Sequence, residues 1–453
     1  MIRRLSLIFI SLGVVIALTA GLATASADQQ KLDSSGQPVI SKAISLDDAV
    51  NIALENNPSI ASRKALVNAA AAKVGIAKAM TKPQVSASTF GTLSNTAMIL
   101  SGPGTVQPQN ILLSADKRRL DQSLMGMYPI YTGGNLKGQV DSTQAQQQAS
   151  SFDAATTELD TALIVKNAYY ETRLAQKYID AYQSRVDEAT ERVRIAEEAF
   201  AAGRIAKFDL LRNQTDLAEA QQQLNDAQRY VETSYIELKN IMGISQTSQL
   251  TLTQDLSVRT APPDLDELQA TALSARPEVQ AARARVRSAK ANVDVAKSSY
   301  KPQVYATAMA NLSANIGDSM NGHTDTGYLV GVTAALPVFD GGLRKSSVDE
   351  AESIVDQMQA DERAAVLDVS RSVATAYAQF GAATKNIDLA QTAVTAAEED
   401  YRVIRMRYEA GKATNVEVLD ALAALTRAQT MYAEALYGQN IARESLNRAI
   451  GQR

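Results

Sequence analysis

The chain contains no cysteine and no tryptophan, and only 5% of its 453 residues are aromatic. The absence of cysteine excludes disulfides, thiol nucleophiles, thiolate zinc sites and a lipid-bearing cysteine. Few aromatic residues, together with many Ala, Gln and charged residues, suit long helices with narrow seams better than bulky globular cores. The net charge of −4 argues against a nucleic-acid partner.

The sequence contains a single histidine, His323. A single His without Cys cannot build a usual zinc site, and the sequence has no Ser/His/Asp set, P-loop or GxGxxG motif. We interpret His323 as an ordinary residue of an external loop between two predicted strands. The sequence therefore predicts no enzyme, no cofactor and no metal site.

Long apolar runs are missing except at the start of the chain. There, a basic start at Arg3 precedes a largely apolar stretch from 5 to 18, and Ala25 and Ala27 form an A-x-A cleavage site. This pattern predicts a signal peptide over residues 1–27. The alternative is a membrane anchor, but the apolar stretch is short for a span of roughly 20 residues. We expect the mature chain to be exported and to lack a transmembrane helix.

The sequence does contain an internal duplication. Residues 46–85 match residues 265–304 at an offset of 219 (265 − 46), and Lys-Pro-Gln-Val ends both segments. Pro-Ile-Tyr-Thr-Gly-Gly at 129–134 is answered by Pro-Val-Phe-Asp-Gly-Gly at 337–342, at an offset of 208 (337 − 129) that holds to the end of each copy. Ordered, collinear matches at a nearly fixed period are evidence for a repeat.

Each copy has the same order of predicted elements. A capped helix comes first, with Ser45 before Asp48 and Asp264 before Glu267, and it runs to the Lys-Pro. Two strands separated by a polar loop follow, and a Gly-Gly pair then turns the chain into helix. The predicted boundaries are a linker at 28–44, a first copy at 45–243 with strands near 84–91 and 122–131, a linker at 244–263, and a second copy at 264–453 with strands near 303–312 and 327–339.

The helix after each Gly-Gly pair is unusually long. Residues 136–202 contain no proline and would span roughly 100 Å as one helix. The next helix has heptad spacing, which is typical of a coiled-coil seam, whereas a helix on an ordinary core would show a broader apolar stripe. The seam positions are Leu217, Ala220, Leu224, Ala227, Val231, Ser234, Leu238 and Ile241 in the first copy, and Leu425, Ala428, Tyr432, Ala435, Gln439, Ala442, Leu446 and Ala449 in the second.

One glycine interrupts the helical stretch of each copy. Gly203 lies in FAAGRIAKFDLL and Gly411 in YEAGKATNVEVL, 208 residues apart (411 − 203). Glycine tolerates the positive φ that a reversal between two helices needs. The sequence therefore predicts that paired helices reverse at these two positions.

The predicted strands are too few to close a barrel within one chain. Two strands per copy give four strands with open edges, whereas three chains would supply 12 strands (3 × 4). Several aromatic residues lie on or near the strands and suit the belts at a membrane interface, although aromatic residues favour any strand. They are Tyr128, Tyr131, Tyr300, Tyr305, Tyr328 and Phe339.

The duplicated Lys-Pro-Gln-Val, the Pro-x-[Tyr/Phe]-x-Gly-Gly turn, and the Ala-Gly breaks followed by Asp209-Leu210-Leu211 and Glu417-Val418-Leu419-Asp420 occur in order. In these features the chain resembles the TolC family of outer-membrane channel-tunnel proteins. The resemblance implies a homotrimer with a 12-stranded outer-membrane β-barrel, continued by a periplasmic α-helical barrel. It also implies a passive exit duct of an efflux or type I secretion system, fed by an inner-membrane pump through a periplasmic adaptor. The exported substrate stays open.

The resemblance also implies roles for particular residues. Asp209 and Tyr408 would join neighbouring helices and hold the periplasmic entrance shut, and Glu417 and Asp420 would form acidic rings that favour cations. A solvated helix face is the alternative for all four. The tips of the helices would contact the adaptor, and we take an exposed Ile205 beside small residues as favouring contact over a plain turn. The tip residues are Gly203, Arg204, Ile205, Ala206, Gly411, Lys412, Ala413 and Thr414.

One protein of another class also fits part of the sequence. A periplasmic coiled-coil scaffold or adhesin without a pore would explain the heptads and the signal peptide. It would not explain two strands in each copy, bounded by the same prolines and glycines.

Overall fold

The computed structural model describes residues 32–453 apart from 35, 94–97, 102–109, 114–117, 259, 261, 263 and 316–323. The predicted signal peptide with Ala25 and Ala27 lies outside these residues, as do His323 and parts of both predicted polar loops. Among the residues that the structure describes, no helix is both long enough and apolar enough to cross a membrane.

The elements of the two copies follow one another in the predicted order. They are β1 (Ser41–Ile44), α1 (Leu46–Asn56), α2 (Pro58–Ala79), β2 (Gln84–Leu93), β3 (Met98–Ser101), β4 (Asn110–Leu113), β5 (Arg118–Tyr131), α3 (Asn135–Ala201), α4 (Lys207–Met242), β6 (Gln249–Leu252), α5 (Leu265–Ala275), α6 (Pro277–Ser298), β7 (Gln303–Asn315), β8 (Thr324–Ala335), α7 (Leu343–Glu409) and α8 (Asn415–Ala449).

The first helix of each copy is two helices where we predicted one. Proline has no N–H and pushes the preceding residue out of the helical conformation. Asn57 and Arg276, which precede Pro58 and Pro277, are accordingly extended, with ψ of 125° and 122°. Each proline then becomes the first residue of the next helix.

The two predicted caps differ in the structure. Ser45 Oγ accepts the Asp48 N–H at 3.2 Å and the Asp48 carboxylate accepts the Ser45 N–H at 3.0 Å, which completes the predicted capping box. Asp264 does not form the predicted pair with Glu267. Its carboxylate accepts the N–H of Leu265, the first residue of α5, at 2.9 Å.

Four strands form one antiparallel sheet in the order β2-β5-β7-β8. The two copies meet where β5 pairs with β7, and β2 and β8 are the edges. β8 ends at Ala335, so residues 336–339, which we predicted as strand, lie beyond it. Pro337 follows this end and cannot donate to a ladder. Within the predicted loop 92–121, β3 and β4 form a short separate hairpin.

The helices pack side by side in two rows that share α3 and α7. Nearer the sheet the order is α2-α3-α6-α7, and nearer the glycine breaks it is α4-α3-α8-α7. All predicted seam positions of α4 and α8 are buried or half-buried, which agrees with the heptad pattern. The helical ends that carry Gly203 and Gly411 therefore lie at the end of the molecule opposite the sheet.

The segments expected to be linkers each hold a strand. β1 and β6 pair in parallel, with Ser41 opposite Gln249 and Ile44 opposite Leu252, and we call this pair the clasp. It borders the largest core cluster, in which Tyr169 and Tyr170 are fully buried. Four-residue strands are too short to show a clear alternation of polar and apolar residues, so the sequence pattern missed them.

Candidate functional site

The two helical reversals have the same backbone geometry. α3 ends with Gly203 at φ +71°, and the Arg204 N–H donates to the Ala199 carbonyl at 2.8 Å. α7 ends with Gly411 at φ +69°, and the Lys412 N–H donates to the carbonyl five residues back at 2.7 Å. These are the bonds of a Schellman motif, which ends a helix at a left-handed residue. Both predicted breaks are therefore tight helix ends.

The starts of the following helices differ between the copies. Thr414 caps α8, because its Oγ1 accepts the Glu417 N–H at 3.3 Å and the Glu417 carboxylate accepts the Thr414 N–H at 2.6 Å. Ala206, the counterpart of Thr414 in the first copy, offers α4 no side-chain cap. The Thr414 N–H, and then its hydroxyl, hold the pKa of the Glu417 carboxyl below its ordinary value. Only the second tip thus has its helix start fixed by side chains.

Most of the predicted tip residues face solvent. The exposed ones are Gly203, Arg204, Ala206, Gly411, Lys412 and Thr414. Ile205 and its counterpart Ala413 are half-buried. The expectation of an exposed Ile205 was therefore wrong, because the tight reversal folds this side chain towards the helix ends and away from water.

Asp209 and Tyr408 are not joined within the chain. Asp209 is half-buried in the first turn of α4, and Tyr408 packs on an apolar cluster between α7 and α8. Among the described residues, no hydrogen bond connects the Asp209 carboxylate to the Tyr408 hydroxyl. Within one chain, the described residues therefore form no latch between Asp209 and Tyr408.

The two predicted ring acids have different surroundings. Glu417 is engaged as the cap of α8, whereas the exposed Asp420 lies one turn further along, beside a groove of about 490 Å³ between α4 and α8. Arg212, the counterpart of Asp420 in the first copy, lines the same groove together with Phe208 and Leu211. Asp420 therefore keeps a free path to solvent, and Glu417 is restrained.

A charged cluster that sequence reasoning missed joins α3 to α4 near the first tip. Asp216 accepts from Arg185 at 3.0 Å and from Arg192 at 3.3 Å, and all three side chains are nearly buried. Burial lowers the pKa of Arg192, and the Asp216 carboxylate opposes that shift. The two arginines lie seven residues apart, which places them on one helix face, and this spacing is the signal that could have revealed them.

The second copy has an apolar cluster at the corresponding height. Tyr401, Val418, Ala421 and Leu422 are buried together between α7 and α8. Two tips of one fold are thus held by different chemistry, one by ions and one by hydrophobic packing.

Comparison with known proteins gives the family. The family model for outer membrane efflux proteins matches residues 49–244 and 268–452, which is one match for each copy. The chain is 25% identical over 437 residues to the pyoverdine export outer membrane protein OpmQ of Pseudomonas putida, covering 96% of this chain and 90% of that protein. It is 21% identical over 327 residues to the cobalt-zinc-cadmium resistance protein CzcC of Cupriavidus metallidurans, covering 72% and 75%.

The fold has solved relatives as well. The CmeC outer membrane channel of Campylobacter jejuni superposes with a TM-score of 0.75 at 19% identity, covering 90% of this chain and 85% of that one. The relatives are transport proteins and not enzymes, and they favour a channel over a scaffold without a pore. The chain therefore belongs to the outer membrane efflux protein family, lies in the bacterial outer membrane and serves as the exit component of an efflux system.

Proposed function

We propose that three copies of the chain form one channel. Their sheets would join edge to edge into a 12-stranded barrel (3 × 4) across the outer membrane, and their helices would continue it as an α-helical barrel in the periplasm. This trimer would be a passive duct, since proteins of the family act with an adaptor and an inner-membrane pump.

The observation that carries this proposal is the unequal chemistry of the two faces of the sheet. Cross-strand partners point to the same face, so the strand register assigns every residue to one face. One face carries mainly apolar side chains: Val85, Ala87, Leu124, Tyr128, Ala306, Ala308, Ala310, Leu312, Tyr328, Val330 and Val332. The other, which we call the polar face, carries most of the polar residues of the sheet, including Gln84, Ser86, Ser88, Asp121, Ser123, Thr307, Asn311, Ser313 and Asp325, and among them lie the apolar Phe90, Met125, Met127, Met309 and Leu329.

The polar face also has its own hydrogen bonds. Ser88 and Ser123 share one at 2.7 Å, and the Ser313 hydroxyl donates to Asp121 at 2.5 Å. A sheet with lipid on one side and water on the other needs this division. The apolar face is strongly exposed in one chain, with Tyr328 at 88% and Val330 at 78%. Lipid contact would cover it.

The edges of the sheet support assembly with further copies. β2 and β8 each have a sheet partner on one side only. Unpaired main-chain groups are costly in a membrane, and pairing β8 of one copy with β2 of the next would satisfy them.

Two adjacent residues of β7 provide a matched test of the faces. We expect Ala310→Lys, on the apolar face, to cost about 2–4 kcal/mol near the middle of the membrane and to prevent insertion. Asn311→Lys, on the polar face, should insert as the wild type does. The measurement is the amount of protein in outer-membrane fractions that runs as a heat-modifiable trimer on gels. Equal insertion of both variants would contradict the proposed barrel.

The roles of the tips extend the same proposal. The exposed residues around Gly203 and Gly411 would dock the adaptor, and Asp420, with Glu417 behind it, would line the periplasmic constriction. Asp209 and Tyr408 would meet only in the closed assembly. Residues 1–27 would be removed after Ala27 on export. OpmQ and CzcC are named for different cargoes, which fits a duct whose cargo is chosen by the pump.

A further inference from the structure

A group of half-buried tyrosines lies on α3, α4 and α8, away from the tips. Tyr178 stacks on Tyr230 with ring centroids 6.2 Å apart, and Tyr182 lies 6.3 Å from Tyr178. Tyr178 donates to Glu434 at 2.7 Å, and Tyr230 donates to Glu171 at 2.9 Å. We call these residues, together with Tyr437, the tyrosine cluster. It contains four phenol rings and two carboxylates.

The two carboxylates have no positive partner in the described part of the chain. No Lys or Arg forms an ion pair with Glu171 or Glu434 there. Arg173 and Lys177, which follow Glu171 on α3, pair instead with Asp255, at 3.2 and 3.0 Å. Within the described residues, the hydrogen bonds to these two carboxylates come from phenol hydroxyls.

The phenols respond to this charge. Burial and then the Glu171 hydrogen bond raise the pKa of Tyr230 to about 12. Burial and, after it, the charge of Glu171 raise the pKa of Tyr437. Burial and then Glu434 raise the pKa of Tyr178. The phenols thus keep their protons at neutral pH, and the negative charge of the cluster resides on the two carboxylates.

The tyrosine cluster takes residues from both copies of the repeat, and the corresponding positions in the opposite copy show that the fold does not need it. At the offset of 208, Glu434 corresponds to Asp226 and Tyr437 to Arg229. Asp226 and Arg229 form an exposed ion pair at 3.5 Å. In the first copy the carboxylate of Asp226 thus has Arg229 three residues further on, whereas in the second copy Glu434 has Tyr437 at that position. Tyr178 and Tyr230 likewise correspond to Asn386 and Gly438, which have no rings.

We propose that the tyrosine cluster binds organic cations, such as quaternary ammonium ions or positively charged aromatic heterocycles. Aromatic faces attract cations, with about 0.5–2 kcal/mol per contact according to how far the pair is desolvated. Two carboxylates at the rim add a Coulomb attraction that is strong outside bulk water. The Tyr178–Glu434 bond is at the surface of the chain, so a ligand could enter without opening the fold.

The test is calorimetric binding of benzyltrimethylammonium to the purified full-length protein. Its neutral carbon isostere, neopentylbenzene, has the same shape without the charge. We expect the cation to bind at least tenfold more tightly than the isostere. Glu171→Gln combined with Glu434→Gln should weaken cation binding at least tenfold, and Tyr178→Leu should weaken it as well. Asp226→Asn, at the corresponding exposed site, should leave binding unchanged.

Three outcomes would overturn the proposal. They are equal binding of the cation and the isostere, unchanged binding in the double Gln variant, and a loss of assembly in that variant, which would mean that a basic side chain of another copy pairs with the two carboxylates. The measurement needs no pore activity, so its failure is distinct from a failure of the proposed channel.

Discussion

Two glycines of the first copy have the same backbone conformation but different surroundings. Gly203 has φ +71° with open space where a Cβ would point. Gly243, at the end of α4, has φ +68°, and a Cβ there would lie 2.6 Å from the Asn56 carbonyl oxygen at the end of α1. The first glycine is required by conformation alone, and the second by conformation and by close packing.

This difference predicts unequal effects of one substitution. We expect Gly203→Ala to cost about 1–2 kcal/mol, which is the strain of a left-handed residue with a side chain. Gly243→Ala should cost about 1–3 kcal/mol more, because the contacting atom is the main-chain carbonyl oxygen of Asn56, and the backbone there must shift. Circular dichroism during thermal unfolding should show the larger fall in Tm for Gly243→Ala. A larger fall for Gly203→Ala would contradict this packing.

At the scale of elements, the two long hairpins are joined differently. The Nη2 atoms of Arg185 and Arg192 on α3 pair with Asp216 on α4. Three other buried nitrogen atoms of these arginines have no hydrogen-bond partner within the described residues: Arg185 Nε, Arg192 Nε and Arg192 Nη1. α7 and α8 are joined by the apolar cluster around Tyr401. The ionic contact near the tip of the first hairpin therefore depends on one carboxylate.

Removal of that carboxylate should loosen one hairpin selectively. We expect Asp216→Asn to destabilise the contact of α3 with α4 by about 3 kcal/mol, because it leaves two nearly buried guanidinium groups unpaired. Hydrogen exchange with mass spectrometry should then be faster in α4 and unchanged in α8. Asp226→Asn, an exposed site on the same helix, is the control and should change neither. Faster exchange in both hairpins would argue against a local role.

The sequence predicted the elements that repeat a pattern over many residues. The heptads of α4 and α8, the long helices and the four strands were all visible as periodicity, and the duplication doubled each signal. The clasp was missed because each strand has four residues. The break at Pro58 was missed because the apolar pattern continues across it. The ion cluster depends on which faces of α3 and α4 meet, and that is decided by packing between elements rather than within one.

At the scale of the whole molecule, the acidic ring that we propose for the trimer should control the passage of ions. A trimer would bring together six carboxylates (3 × 2) from Asp420 and Glu417, and such a ring attracts cations. We expect Asp420→Ala combined with Glu417→Ala to raise single-channel conductance in planar bilayers or to weaken block by divalent cations. Unchanged conductance and unchanged block would refute this role.

The two acids can be separated by their surroundings. Thr414→Ala removes the capping hydroxyl and leaves both acids in place, so it controls for loosening of the tip.

The lowered pKa of Glu417 means that its charge persists as the pH falls below the ordinary range of a glutamate and is lost only on passing the lowered value. In Asp420→Ala, Glu417 is the acid that remains. We therefore expect block by divalent cations in this variant to persist to a lower pH than the ordinary pKa of a glutamate would allow.

The clasp has a consequence for the order in which the chain acquires its structure. Ser41 cannot pair with Gln249 until the chain between them, with both of its long helices, has been exported. Closing so long a loop is entropically costly, and contacts between distant residues form slowly. The first copy must therefore fold its hairpin locally before its ends are joined. Until then the apolar strands need protection in the periplasm, and β5 still waits for β7 of the second copy to complete the sheet.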